Sequence, residues 1–253
     1  MIARERRGVR VLVFEKIDRA GGLVHFLTTR VRRSADGKEE EFTLDPSRER
    51  DRRFLAELPG LGAAPVFSPE QVHGDRIAEV NSATSPAIQR EADGVLTREA
   101  GVILCVKGAD CPLALLYDPD APALCLFHSG WRGTVKHIAR QAVAAMRQQG
   151  GGEPLRMLAG LGPSIQSCCY EVGREVERRF AAEFPSEIIE RRAGRTFIRL
   201  EEAIRLDLQA SGIPPEGIER SGLCTRCHPE LFHSYRRQGP SAGRMILAAA
   251  LLP

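Results

Sequence analysis

The chain has 253 residues, which exceeds the usual size of one domain but fits a single large α/β or all-β domain. Hydrophobic residues make up 43% and charged residues 27% of the chain, a composition that is typical of globular proteins and excludes general disorder. The formal net charge of +3 is too small to suggest nucleic acid as a partner.

The hydropathy pattern and the cysteine content bear on cellular location. No apolar run reaches the roughly 18 residues of a membrane helix, and the first residues lack the apolar stretch of a secretory signal. We therefore expect a cytoplasmic protein without a membrane partner. In a reducing compartment the seven cysteines are expected to be thiols or metal ligands rather than a disulfide framework.

The first third of the chain predicts strands followed by a charged segment. Residues 9–14 and 23–27 are apolar runs on either side of a Gly-Gly turn, which indicates two strands. From residue 32 to 53 the chain is charged and has few apolar residues, so we expect a loop or mobile flap there, with a helix from about 46 to 58.

The middle of the chain predicts strands in close succession. Residues 102–106, 113–117 and 123–127 are apolar and rich in β-branched or aromatic side chains, and an Asp-Pro-Asp turn separates the last two runs. These features favour three adjacent strands. A further strand is expected at 155–161, and residues 245–252 form an apolar end of the chain.

Helical patterns alternate with these strands. The clearest helix has Thr134 as a candidate N-cap and ends at the glycines of 150–152. Its apolar residues at helical spacing are Val135, Ile138, Ala142 and Met146. Two more helices are predicted at about 176–184 and 200–210. The fold class is therefore predicted to be α/β, a single layered domain over residues 1–253 with mixed β-sheets flanked by helices.

Three short phrases carry the residues with metal-binding chemistry. His73, Cys111 and His128 each lie beside glycine or proline, where an apolar run begins or ends, and such positions are common for ligands in α/β proteins. Catalytic zinc typically takes three protein ligands and leaves a fourth position for water or substrate. We predict that these residues bind one metal ion, zinc, although a lone histidine or cysteine is often a core residue and spacing alone does not establish convergence.

Polar neighbours of these ligands are candidates for the chemistry. Asp110 directly precedes Cys111, so its carboxylate could orient a ligand or act as a general base, or could simply stabilise the turn. Arg132 lies just before the predicted long helix, whose free N–H groups would favour an anion, and it would add a charge-assisted contact. The single tryptophan, Trp131, is expected to fill the core or to stack on a flat ligand.

A second cysteine motif at residues 224–228 has the sequence Cys-Thr-Arg-Cys-His, which matches the pattern of covalent haem attachment. That chemistry requires export, and the chain shows no export signal. A structural zinc would need two more ligands, for which Cys168 and Cys169 are the other cysteine pair, but there is no second Cys-x-x-Cys. A redox dithiol would lack its usual strand-to-helix setting.

Taken together, the phrases resemble the laccase-domain family, whose members are called multicopper polyphenol oxidase, purine nucleoside phosphorylase or peptidoglycan editing factor. The matching segments are residues 71–74; 92–94 with 96–97; 109–112; 128–134; 162–165 with 168–173; and 224–225 with 232, 234–237 and 243–244. The resemblance implies a single α/β domain and a zinc site at His73, Cys111 and His128.

The resemblance also implies phosphorolysis of purine nucleosides, with adenosine deamination in some members, so the expected partners are a small-molecule nucleoside and phosphate. Cys111 and Asp110 are the predicted catalytic residues, and Arg132 and Arg236 the predicted phosphate contacts. The segment at about 28–53 departs from the family pattern, because arginines stand where paired glycines are usual.

Two alternatives remain open at this stage. A copper-dependent polyphenol oxidase would need several histidine-rich copper sites, for which six histidines are too few, so copper is the less favoured metal. A hydrolase that edits peptidoglycan precursors by removing a wrongly added amino acid is compatible with the same phrases. The sequence makes no prediction about the oligomeric state.

Overall fold

The computed structural model describes residues 1–34, 36–57, 61–62, 64–84, 91–150 and 152–253. Its strands are β1 Ile2–Arg6, β2 Val9–Val13, β3 Leu23–Arg33, β4 Glu39–Glu41, β5 Val66–Phe67, β6 Ile77–Glu79, β7 Gly94–Thr97, β8 Ile103–Gly108, β9 Leu113–Asp118, β10 Ala123–His128, β11 Leu158–Leu161, β12 Glu171–Val172, β13 Ile189–Arg192, β14 Arg195–Ile198, β15 Ile218–Arg220 and β16 Met245–Leu251. Its helices are α1 Glu15–Ala20, α2 Glu49–Glu57, α3 Trp131–Val135, α4 Ile138–Gly150, α5 Arg174–Glu183, α6 Leu200–Ala210 and α7 Tyr235–Gln238.

Most of these strands form two mixed sheets. The first sheet has the order β1-β2-β3-β16-β8-β5, with β4 added beside β3, and only β5 and β8 run parallel in it. The second has the order β15-β11-β9-β10-β7-β6, with parallel pairing at both edges. A small antiparallel sheet of β12, β14 and β13 lies apart from them. The predicted mixed α/β architecture is confirmed.

The core lies on both faces of each large sheet. Along β16, Leu247 and Ala249 face a core between the two sheets, while Ile246 and Ala248 face the side covered by α2. In the second sheet, Leu115 of β9 faces the core between the sheets and Leu116 faces α4 and α6. This alternation follows from the period of two along a strand. The layers therefore run from α2 through the two sheets to α4 and α6.

The predicted helices are confirmed in position, with one difference at the clearest of them. The helix expected at 46–58 begins at Glu49, and residue 58 lies outside the described residues. The pattern that predicts one helix from Thr134 is divided between α3 and α4, because His137 has a left-handed φ of +58°. Thr134 is not the N-cap. Its hydroxyl donates to the carbonyl oxygen of Gly130 inside α3. None of the described helices is both long and apolar enough to cross a membrane.

Three predictions are wrong in part. The strand expected at 155–161 begins only at Leu158, because Pro154–Arg156 form a turn of 3-10 helix. The runs at 113–117 and 123–127 pair as β9 and β10, but the run at 102–106 belongs to β8 in the other sheet. The charged segment is also not wholly a loop, since β3 continues to Arg33 and pairs with β4. Exposed ion pairs accompany this backbone pairing: Arg10 contacts Glu39 at 2.6 Å and Arg32 contacts Glu40 at 3.0 Å.

Candidate active site

The side chains of His73, Cys111 and His128 come together in the folded chain. Their potential ligand atoms all lie within 4.8 Å of one another. The two imidazole rings are 4.9 Å apart between centroids and meet edge to face at 72°. His73 is exposed, Cys111 is half-buried and His128 is buried, so the group is reachable from solvent on one side. These residues form a group that could hold a metal ion.

The chain crosses between the two large sheets at this place. His73 lies on the connection from β5 in the first sheet to β6 in the second, and Cys111 lies on the connection from β8 to β9. His128 is the last residue of β10, immediately before α3. Arg236, on α7, belongs to the third such connection, from β15 to β16. Residues far apart in sequence thus meet at one end of the two packed sheets.

A buried carboxylate, Asp93, connects two of the ligand segments. It accepts hydrogen bonds from three consecutive backbone N–H groups, of Val72 at 3.1 Å, His73 at 3.0 Å and Gly74 at 2.5 Å. It also accepts a hydrogen bond from Nδ1 of His128 at 2.8 Å. This last bond leaves Nε2 of His128 as the nitrogen available for a metal, an arrangement common around zinc-bound histidines.

The protonation of the two histidines is set by their neighbours. Burial disfavours a charged His128, yet its interactions with Cys111 and Asp93 outweigh burial and raise the pKa of His128 to about 9. For His73, burial and the neighbouring charge on His128 lower the pKa. His128 is therefore protonated at neutral pH in the absence of a metal ion, and a metal ion would displace this proton.

Gly130 allows the three ligands to approach one another. A Cβ atom at this position would lie 2.8 Å from Nδ1 of His73 and 3.3 Å from Sγ of Cys111. The first distance is shorter than real carbon–nitrogen contacts, so any larger residue would displace the His73 ring. The glycine in the phrase that follows His128 thus has a direct steric role at the site.

The ligand group opens into a cavity of about 530 Å³, a volume within the usual range for small-molecule sites. His73, Cys111 and His128 line part of its wall. Five of the other lining residues are cationic or aromatic: Lys107, Arg236, Arg244, Tyr170 and Tyr235. The cavity therefore combines a potential metal site with positive charge and flat, partly apolar surfaces.

Asp110 also lines this cavity, in a strained backbone conformation with φ of +92°. One oxygen of its carboxylate accepts a hydrogen bond from the hydroxyl of Thr225 and the other accepts one from the backbone N–H of Arg236, both at 2.6 Å. The carboxylate thus fixes the position of α7, and with it Arg236. A role for Asp110 as general base stays a prediction.

Of the two predicted phosphate contacts, one lies in the cavity. The guanidinium of Arg236 lies 5.3 Å from the ring centroid of Tyr170 and donates to the carbonyl oxygen of Glu171. The guanidinium of Arg132 instead stacks 4.4 Å from the Trp131 ring and lines a neighbouring cavity. Arg132 is the second residue of the five-residue helix α3, so it does not lie at the start of the long helix α4, where the sequence predicts an anion site.

Several residues of the site were not predicted from the sequence as functional. Asp93 belongs to an Ala-Asp-Gly phrase directly before β7, which was a signal of a special position but not of its partners. Tyr170, Tyr235 and Arg244 lie in segments that resemble the family, but the sequence assigns them no individual role, and Lys107 carries no such signal. The structure brings all four to one cavity.

The fold and the site define a class: a mixed α/β protein in which two histidines and one cysteine form a solvent-accessible metal-binding group at a substrate-sized cavity. The comparisons with known proteins agree with this class. The chain belongs to the family described as multi-copper polyphenol oxidoreductase laccase, whose model matches residues 45–252. The match covers all three ligand phrases and begins near the end of the divergent segment.

Individual relatives are similar over most of the chain. A Bacteroides thetaiotaomicron protein named purine nucleoside phosphorylase is 32% identical over 255 aligned positions, which cover 94% of each chain. A protein named adenosine deaminase RL5, from an unknown prokaryotic organism, is 35% identical and covers 76% of this chain and 78% of its own. The crystal structure of YlmD from Geobacillus stearothermophilus superposes with a TM-score of 0.82 at 28% identity, covering 99% of this chain and 98% of that one.

Proposed function

We propose that the protein is a zinc-dependent purine nucleoside phosphorylase that also deaminates adenosine. The observation that carries the proposal is the opening of the His73, Cys111 and His128 group into a cavity lined by arginines and tyrosines. The relatives named purine nucleoside phosphorylase and adenosine deaminase support it. We also propose a cytoplasmic location, in which the seven free cysteines would stay reduced.

Zinc suits the donor set of this site. Two imidazoles and one thiolate leave a fourth tetrahedral position open, as in catalytic zinc sites. When bound, the ion would supply Lewis-acid polarisation of substrate and would lower the pKa of a bound water. The protein's contribution is to hold the ligands, with Asp93 orienting His128 and fixing the backbone of the His73 loop.

Phosphate would be bound by the cationic side of the cavity. The guanidinium groups of Arg236 and Arg244 donate to backbone carbonyl oxygens. Within the described residues neither forms an ion pair with a carboxylate, so their positive charge can attract an anion. In phosphorolysis, a phosphate oxygen forms a bond to the anomeric carbon while the bond to the purine nitrogen breaks. The base leaves with a proton, and ribose 1-phosphate is formed. Arginines near the phosphate would stabilise this transition state.

The tyrosines provide the surface for the base. Tyr235 is 52% exposed at the cavity, an unusual exposure for a large ring, and could stack on a purine. Burial and the nearby Cys111 raise the pKa of Tyr170, while the adjacent Arg236 opposes this shift. Tyr170 therefore keeps its phenolic proton at neutral pH and can donate a hydrogen bond to the substrate.

Cys111 would act in catalysis as a metal ligand, and Asp110 would act chiefly by positioning Arg236. Both hydrogen bonds accepted by Asp110 come from the connection that carries Arg236. We propose Arg236 as a direct phosphate contact. Arg132 would contribute more weakly, from outside the cavity. Its positive charge helps to lower the pKa of His73, although burial and the charge of His128 have larger effects.

The copper-dependent oxidase is less well supported by the distribution of histidines. Each of the four other histidines has a partner elsewhere: His25 bonds the Phe14 backbone, His137 bonds Asp207, His228 bonds Glu230 and His233 bonds the Phe42 carbonyl. Among the described residues, no second histidine-containing metal group forms, whereas multicopper oxidation uses several. No contact of the described residues favours the hydrolase of peptidoglycan precursors.

The decisive experiment compares substrates and phosphate in one assay. Purified protein is incubated with inosine or adenosine, with and without phosphate, and base, nucleoside and ribose 1-phosphate are separated chromatographically. We expect phosphate-dependent release of hypoxanthine and adenine, and phosphate-independent conversion of adenosine to inosine. Absence of base release, combined with phenol oxidation that increases with added copper, would overturn the proposal in favour of the oxidase.

A further inference from the structure

Four cysteines that play no part in the proposed active site form a cluster of their own. Cys168 and Cys169 lie between β11 and β12, and Cys224 and Cys227 lie between β15 and α7. Their four Sγ atoms all lie within 4.8 Å of one another. The sequence disfavours a structural zinc at residues 224–228 for want of a second Cys-x-x-Cys, but the fold supplies the missing pair as adjacent cysteines.

The sulfur spacing matches a single tetrahedral ion. Sγ of Cys227 lies 3.7 Å from Sγ of Cys168 and 3.4 Å from Sγ of Cys169, and the last two are 3.7 Å apart. A zinc–sulfur distance of about 2.3 Å gives tetrahedral sulfur–sulfur edges of roughly 3.8 Å. A disulfide would require about 2.05 Å. We infer that Cys168, Cys169, Cys224 and Cys227 form a second, structural Zn²⁺ site.

Backbone hydrogen bonds join the two segments that carry the cysteine pairs. The N–H of Ser164 donates to the carbonyl oxygen of Leu223 at 3.2 Å, and the N–H of Thr225 donates back to Ser164 at 3.1 Å. The N–H of Gln166 is directed at Sγ of Cys224 at 3.5 Å. Hydrogen bonds from backbone N–H groups to ligand sulfurs stabilise thiolates, and they orient the ligand before the ion binds.

The charge balance of the cluster also favours a dication. Four thiolates at these distances would repel one another strongly, and a divalent ion removes half of that charge. The guanidinium of Arg237 donates to the carbonyl oxygens of Thr225 and Arg226, and that of Arg192 donates to the carbonyl oxygen of Ser167. These arginines bring positive charge to both segments that carry the cysteines.

A zinc ion here would join two walls of the substrate cavity. The segment with Cys168 and Cys169 leads directly to Tyr170, and the segment with Cys224 and Cys227 leads through Thr225 to Asp110 and Arg236. Two of these residues, Tyr170 and Arg236, line the cavity. The site would therefore stabilise the cavity wall from outside, and its existence does not depend on the reaction proposed above.

The test counts zinc per chain by mass spectrometry of the purified, dialysed protein. We expect the double variant Cys168→Ser/Cys227→Ser to hold one zinc fewer per chain than wild type. The control Cys125→Ala, which removes a buried thiol on β10, should keep the wild-type count. The variant Cys111→Ala should lose only the active-site ion, so failure of one site is distinguishable from failure of the other.

A second measurement covers the case in which the double variant does not fold. Cys111→Ala is loaded with Co²⁺, and its absorption should show the sulfur charge-transfer bands of a tetrahedral tetrathiolate site. Chelation of the zinc form of Cys111→Ala should also lower its Tm. Equal zinc content in wild type and double variant, absence of these bands, iron in place of zinc, or a disulfide within the cluster would overturn the inference.

Discussion

Asp93 has the largest number of contacts to the metal-ligand segments of any single carboxylate in the described structure, although it is not itself a proposed ligand. Its two oxygens accept from the backbone of residues 72–74 and from the His128 ring. Burial would raise the pKa of this carboxyl, but hydrogen bonds from His128 and from the backbone lower it. The residue is therefore ionised at neutral pH and fixes two ligands at once.

Replacement of Asp93 by Asn tests this role. The amide offers one acceptor oxygen, and its NH₂ group would face the backbone N–H groups of residues 72–74. We expect zinc affinity to fall about 10–100-fold, the usual effect of removing a partner of a zinc ligand. Stability should also fall, by about 2 kcal/mol, because charged hydrogen bonds are lost. Zinc affinity is measured by competition with a chromogenic chelator.

The matched control is Asp118→Asn. Asp118 is equally buried and accepts two backbone N–H groups in a turn, those of Asp120 and Ala121, away from the site. It should lose stability but keep zinc affinity. Equal loss of affinity in both variants would show that Asp93 acts only through overall stability.

Among single residues, the sequence pointed to the candidate metal ligands but not to the residue that positions them, Asp93. His73, Cys111 and His128 carry recognisable donor chemistry beside glycine and proline, so their identity could be proposed from the chain alone. The partners of Asp93 are mostly backbone N–H groups more than ten residues away, and such partners have no signature in residue types. For the same reason the sequence offered Asp110 as a residue that could orient a ligand, whereas in the structure Asp93 contacts His128 and Asp110 contacts Thr225 and Arg236.

The elements that form the site are the connections between sheets rather than the strands themselves. Three connections cross from one large sheet to the other at the same end, and they carry His73, Cys111 and Arg236. The sequence predicted the strands on either side of the connection that carries Cys111, but it predicted neither the short strands β5 and β6 beside His73 nor β15 before Arg236. It did not predict which sheet each strand joins, because β8, β9 and β10 are almost wholly buried and show no polar face.

The division of the predicted long helix has a tertiary cause. The apolar spacing of residues 135–146 continues across the break, so periodicity alone predicts one helix. In the structure the His137 ring bonds Asp207 at 2.9 Å and Glu183 at 3.2 Å, which ties the break to α6 and α5. Those contacts are long-range and cannot be read from the local pattern.

Gly130 provides a test at the junction of β10, α3 and the two crossing connections. In Gly130→Ala, the added methyl group would be too close to the His73 ring and tightly packed against Sγ of Cys111, so it would displace these ligands. We expect the zinc affinity of the His73, Cys111 and His128 group and the rate of phosphorolysis to fall at least about 10-fold while the fold is kept. Both are measured on purified protein, with circular dichroism to check folding.

Gly173→Ala is the control for this substitution. Gly173 precedes α5, and a Cβ atom there would meet nothing within 4 Å. This variant should match wild type in zinc affinity and rate. A Gly130→Ala protein with unchanged zinc affinity and full activity would contradict the steric role of Gly130.

At the scale of the whole molecule, the two large sheets pack on a core between them, and a histidine contributes to this core as well as to the site. His25 on β3 is 2% exposed, stacks on Phe14 at 5.8 Å and accepts the Phe14 backbone N–H at 2.8 Å. Its Nδ1 has no hydrogen-bond partner in the described structure. Burial lowers the pKa of His25 from 6.5 to about 4.

This shift predicts how stability depends on pH. The pKa of His25 is lower in the folded state, so the unfolded state binds the proton more tightly. As the pH falls below 6.5, protonation therefore stabilises the unfolded state and the folded protein loses stability. We expect the free energy of unfolding to fall by about 2 kcal/mol between pH 7 and pH 5 on account of this residue. Urea unfolding at the two pH values measures it.

His25→Gln isolates the contribution of His25, since glutamine can still accept the Phe14 N–H but does not titrate. Between pH 7 and pH 5, the free energy of unfolding of the variant should fall by about 2 kcal/mol less than that of wild type. Identical pH dependence in the two proteins would mean that His25 does not titrate across this range.

The central claim is that the His73, Cys111 and His128 group performs metal-dependent nucleoside cleavage. The most direct measurement is the initial rate of phosphate-dependent hypoxanthine release from inosine by wild type, Cys111→Ala and Cys125→Ala, with zinc content determined on the same samples. We predict that Cys111→Ala loses one zinc per chain and at least about 100-fold in rate, while Cys125→Ala retains both. A Cys111→Ala protein that keeps its zinc and its rate would contradict the claim.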